Sequence, residues 1–188
     1  MSSQFPASIH STNRNPFTGR LRVEDGSTAL AENRALRISE PLSLDTVTLP
    51  TMQIAFTSPI DFNLVQQSLT CDLGGFLYQV YRSEQGTVTT PFETTIEPIR
   101  RNLRTDAPSY TPQIEIKTGG VFVPGVGEKP VDTIRVRAGS NANRAINVSG
   151  AENSGRGLPP NTYYIIIGAI AGITGTLTGV LELLYDEG

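Results

Sequence analysis

Tyr163-Tyr-Ile-Ile-Ile-Gly-Ala-Ile-Ala-Gly-Ile-Thr-Gly-Thr-Leu-Thr-Gly-Val-Leu181 is a run of 19 residues without a charged side chain. That length suffices to cross a bilayer as a helix. Gly168-x-x-x-Gly172 and Gly175-x-x-x-Gly179 also have the spacing that lets membrane helices pack closely. A membrane anchor over residues 163–181 is therefore one reading. The composition favours another. The run is rich in Gly, Thr and Ile, is followed by Asp186-Glu-Gly188, and has no basic flank to orient a span. Its second half alternates, with Leu177, Leu181, Leu183 and Tyr185 on one side and Thr176, Thr178 and Glu182 on the other. Gly172-Ile-Thr-Gly175 between the halves is a turn signal. The expectation is two long strands forming a buried hairpin.

The same period of two recurs upstream. Leu42–Leu49 mixes alternation with β-branched residues, Met52–Phe56 alternates cleanly, and Gly75–Arg82 puts Phe76, Tyr78 and Val80 on one face. Thr87–Ile96 is strand-like, with Pro91 demoting it to an edge or a bulge. Gln113–Lys117, Val121–Val123, Thr133–Arg137 and Arg144–Val148 follow. Pro59, Gly119-Gly120, Pro124-Gly125, Gly139–Asn143 and Leu158-Pro-Pro-Asn161 punctuate them. Short strands separated by such turns predict an all-β sandwich or barrel. The composition agrees: 38% hydrophobic and only 18% charged residues suit strands and turns rather than a helical bundle or a disordered chain. Residues 34–188 are expected to form this domain. Residues 1–33 are polar and aperiodic and are expected to be an extended N-terminal arm, with room over residues 27–36 for a helical turn or two.

Catalytic chemistry has little to work with. His10 is the only histidine and lies in the polar arm, whereas nucleophilic triads need an imidazole on a rigid scaffold. Zinc sites need several His or Cys ligands, and Cys71 is the only cysteine, so neither a metal cluster nor an intrachain disulfide is expected. Gly127-Glu-Lys129 lacks the spacing of a phosphate-binding loop. Glu93, Glu97 and Glu115 read as solvent-facing rather than as paired catalytic carboxylates. Tyr78, Tyr81, Tyr163 and Tyr164 read as packing residues rather than a sugar platform. The expectation is a protein that is not an enzyme and that uses no cofactor, with no catalytic, cofactor-binding or metal-binding residues assigned. Asn147-Val-Ser149 matches a glycosylation sequon, but the first ten residues lack a secretory signal, so cytoplasmic synthesis is expected.

Charge points to partners. A net charge of −3 removes the simplest route to nucleic acid. Lys117 and Lys129 are the only lysines, and all other basic side chains are arginine, the cation enriched at protein interfaces. Arg100-Arg-Asn-Leu-Arg104 is the one basic cluster, placed in a loop between Pro98 and Pro108.

The polar arm, the succession of strands, and Leu158–Ile167 followed by Gly175–Tyr185 resemble the coat and decoration proteins of small viruses and bacteriophages. That resemblance implies a single jelly-roll-like sandwich of about eight antiparallel strands. It implies a virion structural protein, made in the host cytoplasm, that self-associates in a capsid shell and contacts other virion proteins. Candidate subunit-interface residues are Phe5, Phe17, Arg100, Arg101 and Arg104. The arm departs from RNA-packaging coat proteins, setting only Arg14, Arg20 and Arg22 against Glu24 and Asp25, so it offers little for nucleic acid to bind. A decoration protein, or a receptor- or glycan-binding head forming a discrete oligomer, is the alternative. A β protein anchored in a membrane through residues 163–181 is a second one.

Overall fold

Alternating apolar side chains along two sets of strands leave each set with one face to hide, and the two sets hide them against each other. The computed structural model describes residues 26–102, 108–138, 146–148 and 156–187. A short helix, α1 (Gly26–Ala31), leads into β1 (Ala35–Asp45), β2 (Thr51–Ser58), β3 (Phe62–Leu73) and β4 (Gly75–Arg82). Short strands follow: β5 (Gly86–Thr90), β6 (Thr94–Thr95), β7 (Ile99–Arg100), β8 (Glu115–Thr118) and β9 (Val121–Pro124). The chain then forms β10 (Asp132–Arg137), β11 (Ile146–Val148), β12 (Arg156–Leu158), β13 (Asn161–Ala169) and β14 (Thr176–Glu187).

Two antiparallel sheets result. The first has the order β11-β3-β14-β1-β7, with β12 also on β3, and the second has β10-β4-β13-β2-β8-β6. The long strands pair from the outside of the sequence inward: β1 with β14, β2 with β13, β3 with β11 and β12, and β4 with β10. Rolling that nested ribbon up adds the pairs β3–β14 and β4–β13. β14 is thus bonded on both sides, in unbroken register from Ala35↔Asp186 to Asp45↔Thr176 on β1.

The core lies between the sheets. Leu36, Ile38, Leu42 and Leu44 of β1 and Leu177, Leu181, Leu183 and Tyr185 of β14 face Phe76 and Tyr78 of β4 and Ile165 and Ile167 of β13, all buried. Phe56 packs on Phe62 and edge-on against Tyr185, both at 5.1 Å between ring centroids. Gly179 lets Phe76 lie close on β14: a Cβ there would fall 2.1 Å from the Thr70 carbonyl oxygen and 2.7 Å from Phe76 Cε2. One polar link crosses the core. The Tyr78 hydroxyl donates to Gln67 Oε1 at 2.6 Å, and Gln67 Nε2 donates to Asp132 Oδ2 at 2.9 Å, tying β3 to the opposite sheet. The cleft beside it is about 40 Å³, space for water-sized groups only.

One expectation changes, and one strand goes beyond those expected. Residues 163–181 do form two strands and a turn, but the strands are not a hairpin: β13 and β14 lie in different sheets, and the Ile170–Gly175 connection arches between them. Each strand packs an apolar face into the core, so the two meet across it rather than edge to edge. No described helix is long and apolar enough to cross a membrane. β3, with Gln66, Gln67, Ser68 and a register shift opposite Leu184/Tyr185, carries no clean alternation and is invisible to the period-two reading. The described part of the arm holds the helix α1, about where residues 27–36 had room for a helical turn or two. It is docked, with Ala29 buried, Arg34 N–H donating to the Ala29 carbonyl at 2.7 Å, and Asn33 Nδ2 donating to the Pro108 carbonyl at 3.0 Å.

Glu40 breaks the inward row of β1 between Ile38 and Leu42, and burial raises its carboxyl above the ordinary 4.5. A carboxyl raised in the folded state binds more protons there than in the unfolded chain, so its contribution falls as pH rises. Glu40→Gln is accordingly expected to increase resistance to urea at pH 7. The gain should shrink as pH falls and vanish below the ordinary value; an equal gain at pH 7 and pH 4 would contradict it.

Candidate interaction surfaces

At one end of the first sheet, the last residues of β14 organise everything around them. Glu187 is fully buried, a costly place for a carboxylate unless donors surround it. Its oxygens accept the Gln113 N–H at 2.9 Å, the Ile114 N–H at 3.0 Å and the Tyr110 hydroxyl. The Arg34 guanidinium donates to the Glu187 carbonyl, and the Glu187 N–H donates to the Arg34 carbonyl at 3.2 Å. Burial, then the bond to Glu187, push the Tyr110 phenol well above its usual value. Burial likewise raises the Asp186 carboxyl, partly offset by Arg101 and Arg34.

The basic loop belongs to this cluster. β7 pairs with β1 through Leu36↔Arg100 and Arg37↔Ile99, carrying the loop to the end of β14. Arg100 donates to the Tyr110 carbonyl at 2.7 Å, and Arg101 lies 3.7 Å from Asp186. The structure therefore brings Arg100 and Arg101 together as a strap across the closing strands, with Arg100 still exposed. Phe5, Phe17 and Arg104 lie outside the described residues. Asp186 and Glu187 read in the sequence only as a polar ending. Their one signal was two adjacent acids closing an otherwise apolar alternation.

The second sheet shows a different surface on its outer face. β5 and β9 form a separate two-stranded ribbon laid over it. Phe122 of that ribbon stacks on Tyr164 at 4.1 Å and 8°, with Phe92 and Tyr81 beside them, and its N–H donates to Gln53 Oε1 at 2.8 Å. All four tyrosines singled out in the sequence are buried: Tyr78 and Tyr163 in the main core, Tyr81 and Tyr164 under the ribbon. Glu93, Glu97 and Glu115 are exposed, as read.

The ribbon covers part of that face. Beside it is an open groove of about 340 Å³, lined by Thr51, Leu77, Gln79, Ile166, Gly168 and the Ile170–Ile173 arch. The arch lies close over Gly75, where a Cβ would fall 2.5 Å from Ile173 Cδ1. No charged side chain lines the groove, but Arg135 and Arg137, paired with Leu77 and Gly75, stand exposed along its β10 side. Among the described residues, no group of three or more His, Cys, Asp or Glu side chains is placed to hold a metal.

No protein family, curated protein or solved structure matches this chain. Its surfaces must be read from their chemistry.

Glu187→Ala would leave the buried Ile114 N–H, the part-buried Gln113 N–H and a phenol without their acceptor. It is expected to cost about 3 kcal/mol in urea unfolding. Lys117→Ala breaks only the exposed 2.7 Å pair with Glu115 and should change stability by less than about 0.5 kcal/mol. Equal effects would contradict the role given to Glu187.

Proposed function

We propose that this chain is a jelly-roll subunit of a viral shell, working by self-association in the virion rather than by catalysis. The observation that carries the reading is the nested pairing, first strand with last and second with second-to-last, rolled into two sheets. This is the arrangement a jelly roll produces. Rolling leaves few exposed strand edges. The first sheet ends on the short β7 and β11, and the second on β6 and on β10, which carries Arg135 and Arg137. Such a block is rigid and tiles through its side surfaces.

Composition and surface chemistry support the same reading. Arginine stands almost alone as the basic residue, as interfaces favour. Val47, Leu49, Leu73, Val88, Val121, Val123 and Val126 are large aliphatic side chains that the single chain leaves exposed. A lone solvated subunit gains nothing from them, whereas repeated weak contacts between copies do. Residues 1–25 add a polar stretch of sequence, with Phe5 and Phe17 in it, as a further contact for neighbouring subunits.

The test is to express the chain without detergent and examine it by light-scattering chromatography and negative-stain microscopy. Shells, sheets or rings are expected, and removing residues 1–25 should abolish them while the sandwich stays folded by circular dichroism. A persistent monomer overturns the reading. An isolated trimer also overturns it and indicates an attachment head.

A further inference from the structure

Two features at opposite ends of one sheet face fit each other. Gly125-Val-Gly-Glu128 is a built turn: the Glu128 N–H donates to the Gly125 carbonyl at 3.1 Å, and Gly127 takes φ +85° at its third position, the geometry of a type II turn. The turn is anchored. Gly125 N–H donates to the Gln85 carbonyl at 2.8 Å, and Gln85 Nε2 donates to Lys129 O at 2.8 Å and Glu128 Oε2 at 3.2 Å. At its second position stands Val126, 109% exposed, more than any other large hydrophobic residue among those described. An anchored turn that holds an aliphatic side chain wholly in water is a knob without its hole.

The groove beside Leu77, Ile166 and Gly168 is a hole without its knob. It is uncharged inside, and Arg135 and Arg137 stand along one side. The knob carries the exposed acid Glu128 two positions after Val126, followed by the exposed Lys129, so Glu128 is the one group on it that can pair with those arginines. Within one subunit they are kept apart, because the groove borders the start of β4 and the knob is tied to Gln85, just past its end.

We propose that Val126 and its turn dock into the groove of a second copy of this chain, with Glu128 facing the arginines of β10. The inference rests on the self-association reading and specifies one of its contacts. Because the two patches differ, the contact is head-to-tail, and repetition gives closed rings or open rows rather than a two-fold pair. A tip of this size buries far less than the roughly 800 Å² per partner of a stable isolated complex. The contact is therefore weak alone and effective in an array.

The experiment uses two full-length variants, Val126→Cys and Ala171→Cys, the second on the groove wall. Cys71 is buried and leaves the background low, as wild type treated alone will show. Each variant alone and an equal mixture are treated with a short bismaleimide, and dimers are counted in both the assembled and unassembled pools. Cross-links confined to the mixture support the proposal. Adding Val126→Asp to the Ala171→Cys partner should leave that cross-link intact, because its groove is untouched. Placing Glu128→Arg on the Val126→Cys partner should reduce it about tenfold. Val126→Asp by itself should cut the yield of assembled wild-type-like particles by about tenfold, the factor that burying one valine gives. Dimers of Val126→Cys with itself, or no cross-link in particles that do assemble, overturn this contact and leave the shell reading standing. Absence of particles with the mixed cross-link still present does the reverse.

Discussion

Every long strand of the first sheet depends on β14 having partners on both sides. It takes β1 along its whole length and β3 along most of it, so the first and last long strands lie side by side although Ala35 and Asp186 are far apart in sequence. No local hairpin can nucleate that arrangement, and the entropy of closing the intervening chain precedes any reward. The structure meets this constraint with a row of buried side chains along β14, with Gly179 admitting Phe76, and with the polar cluster at Glu187 that fastens the closing end to Arg34, Tyr110 and the 113–114 backbone.

Much of this was legible in the sequence, and what was not has a physical cause. Gly75–Arg82 was readable to the residue because Phe76, Tyr78 and Val80 face one sheet while the positions between them face the ribbon and groove. Pro91 divided its segment into β5 and β6 as its missing donor requires. β3 was hidden because its inward residues include Gln67, which spends its side chain on Tyr78 and Asp132 rather than on apolar contact. The partners of β13 and β14 were hidden for a deeper reason: alternation tells which face is buried but not which strand lies alongside. Turn signals made the local hairpin the natural reading, and the sandwich overrode it.

The surfaces follow the same division. Arg100 and Arg101 stood out as a basic cluster, but pairing of β7 with β1 turns them into part of the closing strap, leaving Arg100 the more available of the two. The groove could not be seen in sequence, because it is assembled from separate segments; Pro124-Gly125 marked the turn, but not that Val126 stands in water. Only the fold sets an uncharged hollow and an exposed aliphatic tip on one face. In a protein whose proposed work is to touch copies of itself, such mismatched patches are where geometry, rather than reactive chemistry, carries function.

The nested fold stands most directly on β1 lying against β14. Spin labels at Ser39 and Glu182, which are paired in the register and open to the outer face, would measure it. Directly opposed Cβ atoms lie about 5 Å apart, so strong dipolar broadening is predicted, together with its loss on unfolding in urea. Narrow, non-interacting spectra from the folded protein would show that the first and last strands do not meet, and the nested fold and the proposed shell-building role would fall together.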